Sequence, residues 1–66
     1  MIGHPKYTYG QKVRFKSGLI TREGTIEIID AWGTFYQSEE VSYDIMVTEQ
    51  NCLYKHIRES KVNPIE

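Results

Sequence analysis

The stretch 41–61, VSYDIMVTEQNCLYKHIRESK, constrains the fold of this chain more than any other part. Tyr43, Ile45 and Val47 fall on every second position, and this period of two predicts a half-buried strand. The polar run TEQN that follows suits a tight turn whose Asn51 adopts a left-handed conformation. A second strand then returns through CLYKHI. Because an isolated hairpin is only marginally stable in water, the rest of the chain must supply strands that cover its apolar face.

The returning strand and the residues after it complete this unit. Leu53 is predicted to face inward, with Ile57 as a further candidate, and Tyr54 falls on the opposite phase. The polar stretch 58–60 is too short for a packed helix but suits a single 3₁₀ turn. A final short strand around Val62 follows, and the chain then reaches a proline, which cannot donate a hydrogen bond to a sheet.

Two further strands are predicted before this hairpin. Apolar and basic residues alternate in 11–16, QKVRFK, which predicts the first strand. A connection over 17–23 leads to a longer strand over 24–32. Ile28 and Ile29 are adjacent there, which breaks the alternation. This predicts either that both faces of the strand become buried or that a β-bulge turns the strand, and a bend of the second strand is expected in a small barrel.

The alternating phases of these strands predict both the core and the pairing of the strands. The predicted core residues are Val13, Phe15, Ile26, Ile28, Tyr43, Ile45, Val47, Leu53 and Val62. If Phe15 pairs with Ile26, then Arg14 lies opposite Glu27 on the neighbouring strand. The sequence therefore predicts an all-β domain, a small five-stranded antiparallel barrel with a 3₁₀ turn before its last strand.

The order of the segments QKVRF, GTIEIID, YDIMV and CLYKHIRESKV resembles that of SH3-like barrels of the Tudor and KOW kind. More closely, EIIDAWGTF, SYDIMV and LYKHIRES resemble segments of small uncharacterised proteins from Gram-positive bacteria and their prophages. The predicted organisation is a flexible N-terminal segment over 1–8, an SH3-like barrel over 9–63 and a C-terminal tail over 64–66. The resemblance implies little about function, because this fold carries many unrelated sites.

Composition and length narrow the possible functions. With 66 residues the chain forms one domain with a small core. A formal net charge of −1 disfavours a strongly electrostatic nucleic-acid binder. The single cysteine, Cys52, excludes an intrachain disulfide and a cysteine-cluster metal site. No apolar run approaches the roughly 20 residues of a membrane span, and the N-terminus has no apolar signal region, so a cytoplasmic monomer is expected.

The sequence carries no pattern typical of an enzyme, a metal site or a cofactor site. Cys52 and His56 share a strand face at i and i+4 but lie roughly 13 Å apart by strand rise, beyond hydrogen-bond reach. His4 and His56 lack a second ligand at metal-binding spacing. No catalytic residue, cofactor or metal is therefore predicted.

Charge is segregated along the chain. Residues 1–22 contain five basic residues and no acid, whereas residues 23–49 contain seven acids and no base. One interpretation is that a basic strand and an acidic strand form cross-strand pairs that help to set the register. The alternative is that Lys12, Arg14 and Lys16, at every second position, follow a phosphate backbone and bind nucleic acid weakly and in a salt-sensitive manner.

The aromatic loop 32–36, WGTFY, is the leading candidate for a binding site. Adjacent residues of an extended chain face opposite ways, so Phe35 is predicted to point inward and Tyr36 outward. The predicted partner site combines aromatic and acidic residues: Trp32, Phe35, Tyr36, Tyr54, Glu39 and Glu40. This combination favours a peptide that carries Lys or Arg. In the alternative interpretation, Trp32 and Phe35 close one end of the core.

Three functions remain for a domain of this kind. The first is a protein–protein interaction module that uses the aromatic loop. The second is a weak nucleic-acid or nucleoprotein accessory that uses the basic first strand. The third is an assembly component that pairs through an open edge of the barrel.

Overall fold

Five strands and two 3₁₀ turns make up the regular structure of residues 3–33 and 40–65, the part of the chain that this computed structural model describes. The strands are β1 (Lys12–Ser17), β2 (Ile20–Asp30), β3 (Ser42–Val47), β4 (Cys52–Arg58) and β5 (Val62–Pro64), and the turns cover Thr48–Gln50 and Glu59–Lys61. All strand pairs are antiparallel and form one sheet in the order β4-β3-β2-β1-β5. The predicted all-β fold and the 3₁₀ turn before the last strand are confirmed. None of these elements is a helix with the length and apolar character needed to cross a lipid bilayer.

The sheet bends along β2. Strand β1 pairs with the first half of β2, from Ile20 to Thr25, and β3 pairs with its second half, from Thr25 to Asp30. The bend brings Phe15 of β1 against Tyr54 of β4, with ring centroids 5.4 Å apart, although two strands separate them in the sheet order. Among the described residues the sheet begins with β4 and ends with β5, and these two strands do not pair to close a barrel.

A two-residue turn joins β1 to β2. Ser17 pairs with Ile20, which leaves Gly18 and Leu19 as the loop. Gly18 has φ 66°, a conformation that glycine adopts without steric cost and that a type II′ turn requires at this position. The predicted connection over 17–23 is therefore wrong, because β2 begins at Ile20.

Gly24 lies inside β2, where β2 runs very close to β3. A Cβ atom on this residue would lie 2.5 Å from the carbonyl oxygen of Met46 and 2.7 Å from Cγ2 of Ile45. The two strands approach too closely at this point for any side chain on β2. A glycine is therefore required at position 24 by the close approach of the two strands.

Of the two predicted explanations for the adjacent isoleucines of β2, the β-bulge is the one present, between Ile26 and Ile28. These two residues face consecutive residues of β3, so Glu27 has no opposite residue. The extra residue reverses the direction in which the following side chains face. Ile28 is consequently 51% exposed and its predicted core position is wrong, whereas Ala31 is buried.

A second bulge lies in β4. Two residues of β4, at positions 55 and 56, lie opposite the single residue Asp44 of β3. His56 has a left-handed φ of 58°, and its backbone N–H donates a hydrogen bond of 3.0 Å to Oδ1 of Asp44. Because the bulge shifts the phase, Tyr54 and Ile57 both pack against the core. Leu53 lies on the other face, outside the core cluster, so its predicted core position is wrong.

The core is built from side chains on the inner face of the bent sheet and at the strand ends. The buried apolar residues are Val13, Phe15, Ile26, Ala31, Val41, Tyr43, Ile45, Val47 and Val62. Seven of these nine belong to the predicted core, and only Ala31 and Val41 do not. The period of two therefore identifies the core wherever no bulge intervenes.

The register between β1 and β2 differs from the predicted one. Arg14 lies opposite Glu23 instead of Glu27, because the turn at Gly18 is shorter than predicted. Nη2 of Arg14 and Oε2 of Glu23 form an ion pair of 2.8 Å. The basic first strand thus makes a cross-strand pair with an acidic neighbour, as one interpretation predicts, but with a different acid.

The predicted turn between β3 and β4 is confirmed. Asn51 has φ 50° and ψ 46°, which is the left-handed conformation that asparagine tolerates better than most residues. Its N–H donates to the carbonyl oxygen of Thr48 over 3.0 Å and closes the turn.

Candidate functional site

Trp32 lies just beyond the end of β2, on a turn that an aspartate closes. Oδ1 of Asp30 accepts hydrogen bonds from the backbone N–H groups of Trp32 and Gly33, over 2.9 and 3.0 Å. Gly33 has φ 91°, which a residue with a side chain rarely adopts. The turn fixes the backbone and leaves Trp32 75% exposed. The interpretation in which Trp32 closes the core is therefore wrong.

The other members of the predicted loop site, Phe35, Tyr36 and Glu39, lie outside the described residues, and their orientations stay predictions. Several large apolar residues of the described part are also exposed: Tyr9, Leu19, Ile20, Ile28 and Trp32. Trp32 has the largest side chain of this group, and its backbone is held by the Asp30 turn.

Glu40 joins the far end of the same loop to the turn before β5. Its Oε1 accepts a hydrogen bond from the Ser60 hydroxyl over 3.0 Å, and its Oε2 accepts one from the Ser60 N–H over 3.1 Å. The sequence predicts Glu40 as an acid at the rim of a binding site. The structure gives its carboxylate an additional role, because it binds Glu40, two residues before β3, to Ser60 of the turn Glu59–Lys61.

Tyr54 belongs to a different part of the surface from Trp32. Its ring packs edge-on against Phe15, and Cζ of Arg22 lies 5.5 Å from its ring centroid. Its hydroxyl donates to Oε1 of Gln50 over 2.7 Å. The register aligns the end of β2, next to Trp32, with Arg58 at the end of β4. Arg58 lies four positions beyond Tyr54, so the strand rise separates Tyr54 from this end of the sheet by roughly 10–13 Å. The structure does not bring these two aromatic residues together.

The basic residues Lys12, Arg14 and Lys16 are all exposed on the outer face of β1, as the alternation predicts. Arg14 is bound to Glu23. Lys12 borders a shallow depression that Glu23 and Glu49 also line. The structure therefore groups the three basic side chains but places acids beside Lys12 and Arg14, which weakens attraction for phosphate.

Cys52 is exposed at the first position of β4, and His56 forms the bulge at the far end of that strand. Residues 3–33 and 40–65 contain no group of three or more His, Cys, Asp or Glu side chains that could hold a metal ion.

A hydrogen-bond network that the sequence pattern does not reveal fastens the N-terminal segment to the sheet. The buried Tyr43 hydroxyl donates to Oε2 of Glu59 over 2.6 Å, and the same oxygen accepts the N–H of Lys6 over 3.0 Å. The N–H of Tyr7 donates to the Tyr43 hydroxyl over 3.4 Å, and the Tyr7 hydroxyl donates to the carbonyl oxygen of Val62 over 3.0 Å. Burial, and secondly the hydrogen bond to Glu59, raise the pKa of Tyr43 well above its ordinary value.

Comparison of the chain with protein-family models, with curated proteins and with solved structures finds no match.

Proposed function

We propose that this protein is a small protein–protein interaction module that binds a peptide segment of its partner through Trp32 and the loop 32–36. The observation that carries the proposal is a tryptophan that is 75% exposed on a backbone fixed by Asp30. A partner that covers the indole gains apolar burial. Because the backbone of Trp32 is already ordered, binding costs little additional conformational entropy. Tryptophan is also enriched among the residues that dominate binding energies.

The charges around Trp32 favour a partner segment that carries Lys or Arg. Asp30 lies two residues before Trp32, and Glu40 lies at the far end of the loop. Arg58, at the end of β4, is the basic residue aligned with this end of β2. A cation over the exposed face of the indole gains a cation–π interaction, and the carboxylates add electrostatic attraction.

We also propose that the bent sheet belongs to an SH3-like barrel. Three features support it: a sheet that follows the chain from β1 to β4 with β5 beside β1, a bent β2 shared between the two halves, and a 3₁₀ turn directly before β5. In SH3-like barrels the loop between the second and third strands borders the ligand groove. We further propose that the protein acts in the cytoplasm as a monomer and is not an enzyme. The small proteins of Gram-positive bacteria and their prophages that the sequence resembles would share this role.

A selection from a phage-displayed library of random peptides tests this function. The folded wild-type protein is the bait, and clones that also bind Trp32→Ala are removed. Leu19→Ala is the matched control, because Leu19 is another exposed apolar residue, at the tip of the turn between β1 and β2. We expect enriched peptides to contain Lys or Arg, to bind the wild type and Leu19→Ala equally, and to bind Trp32→Ala at least about tenfold more weakly. A selection in which no clone survives the removal of Trp32→Ala binders would contradict the proposal, and so would surviving peptides that bind Leu19→Ala as weakly as Trp32→Ala.

The two alternative functions have less support. A nucleic-acid role would use Lys12, Arg14 and Lys16, but Arg14 is bound to Glu23. An assembly role would use the open edge of β4, but the left-handed bulge at His56 interrupts the regular spacing that an added strand requires there.

A further inference from the structure

The first residues of β2 present an unpaired edge opposite the turn Thr48–Gln50. Strand β3 pairs with β2 only from Thr25 onward, whereas β1 pairs with β2 from Ile20. Within the described part of the chain, residues 20–23 therefore have a neighbouring strand on one side only. A groove of about 260 Å³ lies on the open side, and its lining residues are Thr21, Arg22, Glu23, Val47, Glu49 and Gln50.

The direction of the peptide groups along β2 follows from Ile26. Its N–H and its carbonyl oxygen both bond to the segment just before β1, over 2.9 and 2.8 Å. Peptide groups alternate in direction along a strand, so those of Gly24 and Arg22 also bond toward β1. The N–H and carbonyl groups of Thr21 and Glu23 therefore point toward the groove, where no described backbone group pairs with them. They are a template for another strand.

Arg22 lies beneath this edge with an incompletely bonded guanidinium group. Its cross-strand neighbour is Phe15, and its Cζ lies 5.5 Å from the ring centroid of Tyr54. Its Nε atom is buried and has no hydrogen-bond partner among the residues that the structure describes. Within the same residues, no carboxylate forms an ion pair with Arg22. The terminal nitrogens of this guanidinium form no hydrogen bond or ion pair with the described residues either, so they can donate to an acceptor that a ligand supplies at the groove.

Neither of the two acids that line the groove, Glu23 and Glu49, forms an ion pair with Arg22, so its guanidinium group can bind an acid of a ligand. Glu23 alternates with Arg22 along the strand, so its side chain lies on the outer face, where Arg14 binds it. Glu49 is exposed, on the turn at the other side of the groove. Side chains of an added strand alternate in the same way. An acidic residue on the inner side of that strand meets Arg22, whereas one on the outer side meets Glu23 and is repelled.

We infer that the edge at 21–23 accepts an extended segment of a partner protein by strand addition, and that Arg22 binds one Asp or Glu side chain of this segment. Backbone hydrogen bonds to Thr21 and Glu23 hold the segment whatever its sequence, and Arg22 selects the acidic residue. This surface differs from the one around Trp32 in its place and in the charge that it selects.

Hydrogen exchange followed by NMR tests the edge itself in the free protein. We expect the amides of Thr21 and Glu23 to exchange rapidly, and those of Arg22 and Gly24 to be protected by their bonds to β1. Protection of Thr21 and Glu23 equal to that of Arg22 would overturn the inference, because their N–H groups would then already be bonded.

A second selection from a library of random peptides tests the ligand. Clones that also bind Arg22→Met are removed, because methionine keeps an apolar stem beside Tyr54 but removes the guanidinium group. Thr21→Pro removes an N–H on the open side without breaking a bond to β1, and Thr21→Ala is its matched control. We expect the selected peptides to contain Asp or Glu and to bind Thr21→Ala like the wild type. Binding to Arg22→Met and to Thr21→Pro should be at least about tenfold weaker.

Three outcomes would overturn the inference: a selection in which no clone survives the removal of Arg22→Met binders, surviving peptides without Asp or Glu, and binding that Thr21→Pro leaves unchanged. If Thr21→Pro does not fold, Arg22→Met and the exchange rates decide the question.

Discussion

The hydroxyl oxygen of Tyr43 lies 2.6 Å from Oε2 of Glu59, so the largest fully buried side chain of the core is bonded to the turn before β5. The same carboxylate oxygen accepts the N–H of Lys6. One carboxylate thus joins three parts of the chain that are far apart in sequence: the N-terminal segment, β3 and the turn Glu59–Lys61. We expect this contact to contribute to the stability of the whole domain.

Tyr43→Phe keeps the buried ring but removes the hydroxyl group. The carboxylate of Glu59 then loses a donor, and the N–H of Tyr7 loses an acceptor. We expect the free energy of unfolding, measured by urea denaturation, to fall by about 1–3 kcal/mol. Tyr9→Phe is the control, because Tyr9 is exposed and should leave the stability unchanged. Equal stability of the two variants would show that the Tyr43 hydroxyl contributes nothing.

The raised pKa of Tyr43 predicts a loss of stability in alkali. Because the folded state holds this proton more tightly than the unfolded state, the stabilisation is fully present below the unfolded tyrosine pKa of about 10. It is lost as the pH rises through the folded value. We expect the urea midpoint of the wild type to fall above about pH 10, and that of Tyr43→Phe to fall less steeply. Parallel curves for the two proteins would argue against a perturbed Tyr43.

The inner faces of β1 and β3 could be predicted from local alternation, because Val13 and Phe15, like Tyr43 and Ile45, lie two residues apart in strands with one buried side. The inward-facing residues of β2 and β4 were harder to predict, because each of these strands contains a bulge. Two adjacent isoleucines indicate an extra residue in β2, but they do not show on which side of Ile28 it falls. In β4, the bulge at residues 55 and 56 has no hydrophobic signal at all, because it depends on Asp44 of another strand.

The candidate sites were harder to predict than the core. The exposure of Trp32 depends on whether Asp30 accepts two backbone hydrogen bonds, and the same residues are compatible with a buried tryptophan. The place of Arg22 beside Tyr54 depends on the register of β2. That register is set by the short turn at Gly18, which lies in an apolar stretch that resembles a longer connection.

Two isoleucines allow a matched test of the core. Ile45 is fully buried, whereas Ile28 is 51% exposed. We expect Ile45→Ala to lower the free energy of unfolding by about 2–5 kcal/mol, enough to unfold much of so small a domain. Ile28→Ala should change it by less than about 0.5 kcal/mol. Comparable losses in thermal melts of the two variants would mean that the bulge at Glu27 is misplaced.

Arg14→Ala tests the role of the basic strand. The side chains of Arg14 and Glu23 are both exposed to solvent. Loss of their ion pair should therefore lower the free energy of unfolding by less than about 1 kcal/mol. We also expect no detectable complex of the wild type with single- or double-stranded oligonucleotides at physiological salt. An oligonucleotide complex that weakens when Lys12, Arg14 or Lys16 is replaced would favour the nucleic-acid function instead.

The fluorescence of Trp32 tests the proposed function most directly, because it is the only tryptophan of the chain. We expect the free, folded protein to emit at the long wavelength of a water-exposed indole. A peptide from the selection on the Trp32 surface should shift the emission to shorter wavelength as it covers the ring. Short-wavelength emission from the free folded protein, or unchanged emission when the peptide is bound, would contradict a binding site at Trp32.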